Sequence, residues 1–137
     1  MKQEDKELLM RDLSARVPHG IKIKVNDKIE ILQGINSLDN VAEYYSFLSC
    51  DIEEVKPYLF PLSSMNEEQK SYLHFNTKFS IDRFGDLVVK FDEDDNYLYT
   101  DIYDYLSIID WFNKNHFDYR GLIEKDLAID CTNLNIY

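Results

Sequence analysis

Asp92, Asp94 and Asn96 alternate within the run Asp92-Glu93-Asp94-Asp95-Asn96, and alternate oxygen-bearing side chains are how an EF-hand loop presents its first calcium ligands. The rest of that loop is missing. Tyr97 stands where the sharp turn needs glycine, and Tyr103 where a bidentate glutamate would complete the shell. The run reads instead as a solvated hairpin tip. Cys50, Cys131, His19, His74 and His116 show none of the paired spacings of a structural zinc site, so no metal is expected. A nucleophilic cysteine would have to meet its histidine in three dimensions, because nothing local pairs them. With 26 acidic residues, neighbouring carboxylates arise by chance. The four glycines, Gly20, Gly34, Gly85 and Gly121, stand apart, so no phosphate-cradling loop is present and no cofactor is expected. No catalytic residue can be named.

Two stretches remain with side chains suited to recognition. The segment His116-Phe117-Asp118-Tyr119-Arg120-Gly121 mixes cation, anion and aromatic groups beside a predicted buried helix, and binding residues are often carried on loops held by rigid elements. His116, Asp118, Tyr119 and Arg120 are its candidate binding residues. The competing, purely structural reading is that Phe117 and Tyr119 anchor the tail to the core while Asp118 and Arg120 pair or cap. The second stretch is a basic strip, Lys22, Lys24 and Lys28, which a small barrel could lay against RNA or DNA, or which simply guards an exposed sheet face against edge pairing.

The elements that must position these groups follow from periodicity. Leu9, Met10, Leu13 and Val17 recur at helical spacing and predict a helix from Glu4 to Arg16, with Lys6, Glu7, Arg11 and Asp12 facing water. Pro18-His19-Gly20 stops it. Ile21 to Val25 alternates strictly, Asn26-Asp27 supplies a tight turn, and Lys28 to Leu32 alternates again, which predicts a hairpin. Val41 to Leu48 is a third strand. Val55 to Phe60, short and interrupted by Pro57, is a fourth, expected as an edge strand or an extended segment. Ser64 and Glu67 have capping-box spacing and start a helix whose stripe of Tyr72, Phe75 and Phe79 runs to about Ser80. A turn at Asp82 to Asp86 precedes a strand, Leu87 to Phe91, that pairs with Tyr97 to Tyr99. Asp101 caps a helix from Ile102 to Asn115 whose buried stripe is Ile102, Tyr105, Leu106, Ile109 and Phe112, widened by Ile108 and Trp111. The tail carries a turn at Arg120-Gly121, a helical piece from Leu122 to Lys125 and a strand from Leu127 to Asp130.

Together these predict an α+β fold: an N-terminal helix, a small curved antiparallel sheet of SH3-like character, then helices with a further hairpin. Residues 1–137 are expected to form a single domain, with a strand-rich lobe over 1–63 and a helix-rich lobe over 64–137.

The chain has 137 residues and a net charge of −11. That balance opposes general binding to nucleic acid or anionic lipid, each of which requires cationic charge, and suits solubility, as a solvated acidic surface, or a basic protein partner. No apolar run approaches the roughly 20 residues of a membrane span, so no membrane partner is expected. The opening Met1-Lys2-Gln3-Glu4-Asp5-Lys6 has no signal-peptide core. Two cysteines far apart in such a chain are expected to be reduced, as in a cytoplasm.

The stretch from Asp51 to Met65, the stretch from Ile109 to Lys125 and the ending Asn135-Ile136-Tyr137 resemble a group of small uncharacterised proteins of Bacteroides-type gut bacteria and their phages. The resemblance implies a bacterial or phage cytoplasmic protein and carries no activity. The expected function is non-enzymatic protein binding or regulation. The alternatives are an acidic nucleic-acid mimic acting against host defence, and an enzyme whose site assembles only on folding.

Overall fold

Asn26 and Asp27 turn the chain with φ of 50° and 61°, the left-handed pair that a two-residue hairpin demands and that Asn and Asp tolerate. The turn sets the register of strand β1 (Lys22–Val25) against β2 (Lys28–Asn36), with Lys24 opposite Ile29 and Lys22 opposite Ile31. Because strand side chains alternate, this puts Ile23 and Val25 inward and the lysines outward. Ile23 and Val25 are fully buried. The computed structural model describes residues 1–45, 48–72, 78–81, 87–90 and 102–137, with backbone alone between 70 and 105.

Helix α1 (Gln3–Arg16) precedes the hairpin, and β3 (Val41–Tyr44), β4 (Leu48–Asp51) and β5 (Lys56–Pro61) follow it. The expected single strand from Val41 to Leu48 is β3 and the first residue of β4, which fold back on each other with Tyr44 opposite Leu48. A 3-10 turn, Ile52–Glu54, joins β4 to β5 and is held by a reciprocal cap between Asp51 and Glu54. Then come α2 (Glu67–Tyr72), the paired strands β6 (Lys78–Ile81) and β7 (Leu87–Lys90), α3 (Ile102–Lys114), β8 (Phe117–Asp118) and β9 (Ile129–Asp130). No described helix is long and apolar enough to cross a membrane.

The main sheet is mixed and open, with seven strands in the order β4-β3-β2-β1-β5-β8 and β9 also paired to β5. It is not wholly antiparallel as expected, because the tail returns twice alongside β5 and runs parallel to it both times. Pro57 therefore lies in an internal strand rather than at an edge. Proline cannot donate to a ladder, and the β1–β5 ladder covers only the pairs Ile23–Pro57 and Lys24–Lys56. At the next position a side chain bridges the two strands. The Tyr137 hydroxyl accepts from the Lys22 N–H at 2.9 Å and donates to the Tyr58 carbonyl at 2.9 Å.

One face of this sheet is covered by α1. Leu9 and Leu13 pack with Ile21, Ile23, Val25, Leu32 and Ala42, and the same core takes in Ile52, Val55, Leu59 and, from the tail, Leu122, Leu127 and Ala128. A second cluster joins Met65 to Ile108 and Phe112 of α3 and to Phe117 and Tyr119.

Several expectations are corrected. Asp12 is completely buried, as is Arg16; the two form an ion pair that the periodicity of α1 does not reveal. The helix expected to reach Ser80 is only α2, and Lys78–Ile81 is a strand paired with β7, as the alternation Lys78-Phe79-Ser80-Ile81 allows. Its cap is Asn66 with Gln69, not Ser64 with Glu67: Gln69 N–H donates to Asn66 Oδ1 at 2.8 Å and Asn66 N–H to Gln69 Oε1 at 2.9 Å. Ser64 instead donates to the Pro61 carbonyl. Among the described side chains of α3, Ile108, Phe112 and Asn113 are buried while Leu106 is exposed, because the face that meets the second cluster centres on Ile108. The piece from Leu122 to Lys125 is a set of turns, and the last strand is Ile129–Asp130 alone. The acidic tip Asp92 to Asn96, the strand Tyr97 to Tyr99 and the Asp101 cap lie outside the described residues.

Replacing Tyr137 by Phe keeps the ring and removes the hydroxyl that substitutes for a ladder bond. Urea denaturation is expected to show a loss of about 1–2 kcal/mol, with faster amide exchange at Lys22. Unchanged stability and unchanged exchange would show that the bridge is not formed in solution.

Candidate functional site

Helix α3 ends in a local knot of hydrogen bonds that aims the loop after it. The Asn115 backbone N–H and side-chain amide both donate to the Trp111 carbonyl, at 3.0 and 2.9 Å. His116 then takes φ of 64°, which reverses the chain so that Phe117 and Asp118 run beside Phe60 and Pro61 of β5. The His116 carbonyl accepts from the Phe60 N–H at 2.8 Å.

Three of the four candidate binding residues of this loop have their polar groups engaged within the fold. The Asp118 carboxylate accepts from the Leu122 and Ile123 N–H groups, each at 2.9 Å, and so closes the following turn. Its burial raises its pKa, against the lowering pull of those two donors. The Tyr119 hydroxyl donates to Asn113 Oδ1 at 2.8 Å, and its ring stacks on Phe112 with centroids 5.7 Å apart. Arg120 lies with its guanidinium carbon 5.0 Å from the Tyr119 ring centre and its Nε 3.4 Å from Asp12 Oδ1. Phe117 stacks on Trp111 at 5.4 Å.

Behind the loop lies a charge cluster that sequence reading missed. Arg16 grips Asp12 with Nε at 2.8 Å and Nη2 at 3.1 Å, and the same Nη2 donates to the Phe117 carbonyl at 2.7 Å. Its guanidinium also sits 5.2 Å from the Tyr119 ring centre, within cation–π range. The only available signal was the spacing of Asp12 and Arg16, four residues apart on one helix, which is commoner on a solvated face.

His116 is the loop residue that faces open space. Its ring stacks on Tyr137 with centroids 3.7 Å apart and planes within 11°. Burial, then the charges of Arg16, His19 and Lys22, push its pKa down to about 4, so the imidazole is neutral at pH 7. It lines a cleft of about 380 Å³ together with Phe60, Asn66, Gln69, Lys114 and Tyr137. Volumes of this order hold small molecules.

A second surface lies on the outer face of the β1–β2 hairpin. Ile29 and Ile31 are each 53% exposed there, opposite Lys24 and Lys22. Lys24 also stands opposite Lys56 of β5. A groove of about 500 Å³ adjoins these lysines and is walled by Asp27, Glu53 and Glu54. Lys28, the third member of the sequence strip, stands opposite Val25 and so falls on the other face of the hairpin.

Neither thiol is disposed to attack. Burial raises the Cys50 pKa and pushes Cys131 up to about 11, so both are protonated at pH 7. Among the described residues no three His, Cys, Asp or Glu side chains are gathered to hold a metal ion. Comparison with protein-family models, curated proteins and solved structures found no match to the chain.

Two outcomes follow. Arg16→Met strands a buried carboxylate and is expected to destabilise the fold by about 3–5 kcal/mol, whereas Asp12→Leu with Arg16→Met recovers roughly half of that. A double variant no more stable than the single one would contradict this. Because the His116 pKa is depressed from 6.5 to about 4 in the folded chain, the unfolded chain binds the extra proton first. Its contribution to stability is thus complete above pH 6.5 and is lost as pH falls toward 4. Denaturation midpoints of His116→Gln against pH are expected to fall less steeply over that window than those of the parent.

Proposed function

We propose that this protein is a non-catalytic binding protein that holds a protein partner against the outer face of its β1–β2 hairpin. The observation that carries the reading is the exposure of Ile29 and Ile31. The inward residues Ile23, Val25 and Leu32 of the same two strands are at most 2% exposed, so the hairpin has filled its core face and still carries a pair of branched aliphatic side chains on the other. Adjacent exposed apolar residues ringed by charge have the anatomy of an interface, with an apolar centre and a polar rim.

The chemistry of the rim suggests the partner. Lys22, Lys24 and Lys56 share this face; the Lys22 ammonium is held by the Ile136 carbonyl at 2.6 Å, which leaves Lys24 and Lys56 as the open cations of the rim. The pairs Lys24–Asp27 at 3.4 Å and Lys56–Asp126 at 2.8 Å are solvent-exposed, and exposed ion pairs of this sort are weak enough to exchange partners. The surface fits a protein with an apolar patch edged by carboxylates. A nucleic acid would satisfy the lysines and leave the isoleucines without apolar partners. The resemblance of 51–65 and 109–125 to small proteins of gut bacteria and phages supports a bacterial cytoplasmic setting.

The test compares affinity capture from source-cell lysate by the parent and by Ile29→Thr with Ile31→Thr, which keeps β-branched residues on an exposed face and so leaves stability within about 1 kcal/mol. The expected result is an acidic protein retained by the parent, whose affinity for the variant is at least about tenfold weaker. Equal retention by both, or nothing retained by either, would refute the assignment of this face. Retention of nucleic acid that is lost steeply with salt would also refute it.

A further inference from the structure

The cleft beside His116 has features that the protein-binding reading does not use. It opens where the end of β5, the start of α2, the end of α3 and the tail converge, and its walls include Phe60, His116 and Tyr137. These are aromatic surfaces already ordered against one another: Phe60 lies 6.0 Å from Tyr137 between centroids, and His116 stacks on Tyr137 at 3.7 Å.

Ser64, Asn115 and Thr132 also line the cleft with their donors spent within the fold, and the free donors come from three other side chains. Asn66 and Gln69 have both side-chain oxygens tied to each other's backbone N–H, so what they offer outward is their NH₂ groups. Lys114 adds an exposed ammonium at the C-terminal end of α3. Among the described residues no Asp or Glu side chain lines the cleft, although the chain carries 26 acidic residues and a net charge of −11. The charges that act on His116 from behind, those of Arg16, His19 and Lys22, are all positive. His116 also keeps a buried Nδ1 with no hydrogen-bond partner, which is costly to maintain in a finished interior.

We propose that this cleft is a binding site for a small aromatic anion, whose planar ring lies along the Phe60, His116 and Tyr137 wall and whose charge meets Lys114 and the Asn66 and Gln69 amides. Offset aromatic contact supplies the orientation, and charge-assisted donors supply the sign. A neutral imidazole suits a ring-stacking wall, because it adds no charge for the ligand to desolvate. The cleft meets the edge of the hairpin face at Tyr137, whose ring centre lies 5.5 Å from Lys22 Nζ, but the two are tested at different residues, Lys114 here and Ile29 with Ile31 there, so either can fail without the other.

The experiment is a titration of the intact chain with benzoate, followed through backbone amide chemical shifts and through the fluorescence of Trp111, which stacks on Phe117 at the cleft wall. Cyclohexanecarboxylate, with the same charge and no planar ring, and inorganic phosphate, with no ring at all, are the comparison probes. Saturable shifts are expected at Asn66, Gln69, Lys114, His116 and Thr132, at millimolar benzoate or below. Lys114→Gln, on an exposed position, should weaken benzoate by about tenfold, and cyclohexanecarboxylate should bind the parent at least about threefold more weakly than benzoate. Absence of saturable shifts up to about 20 mM benzoate, or an unchanged affinity in Lys114→Gln, would overturn the site. Phosphate or cyclohexanecarboxylate binding as tightly as benzoate would overturn the aromatic part of the assignment and with it the proposal.

Discussion

The buried pair of Asp12 and Arg16 is the interaction on which the rest of the structure depends. Both side chains are fully buried, and charges so placed need partners in every direction, because desolvation of an ion is repaid only by close, well-aligned contacts. Arg16 meets most of that demand by taking two carboxylate oxygens on its own helix and a main-chain carbonyl, that of Phe117, about a hundred residues later in the chain; its buried Nη1 has no hydrogen-bond partner among the described residues. The N-terminal helix and the tail are thereby fixed to one another by a directional bond as well as by apolar packing. A contact of this sort selects one arrangement of the helix against the sheet, since sliding the helix by one turn would leave an ion unpaired.

Around that pair the aromatic residues form a continuous scaffold. Trp111 stacks on Phe117, Phe112 on Tyr119, and Phe117 meets Phe60 at 5.8 Å. Tyr119 is drawn in from two sides, by Arg16 and by Arg120. The second core cluster thus sets rings and guanidinium groups beside the aliphatic Met65 and Ile108, and it joins α3 to β5 through the two-residue strand β8. Polar side chains inside such a junction are stable because each hydroxyl and carboxylate has a named partner: Tyr119 has Asn113, and Asp118 has two backbone donors. The loop that looked suited to recognition is for the most part part of this scaffold, and only His116 turns outward to a cleft.

The two surfaces left for function differ in kind. The hairpin face carries two exposed isoleucines with a charged edge. The cleft is small and walled by aromatic rings, with the Lys114 ammonium and the Asn66 and Gln69 amides among its lining groups. Both lie on elements pinned by the main core or the aromatic junction, so their geometry is set before any ligand arrives, which lowers the entropic penalty of binding.

The sequence by itself determined the α+β class, helix α1, the β1–β2 hairpin and its turn, the extent of α3, and the absence of any recognisable metal or nucleotide motif. These are local matters: a period of two or 3.6, a pair of residues that accept positive φ, a stop at Pro18-His19-Gly20. Only the tertiary structure decided that Asp12 is buried, that Pro57 sits in an internal strand, and that Phe117 and Ile129 run parallel to β5. Nor could alternation distinguish the exposed Ile29 and Ile31 from core residues, since it marks faces without saying which one is covered. The physical reason is the same in each case. A buried ion, a two-residue strand and a covered face depend on partners far away in the chain, and periodicity reads only near neighbours.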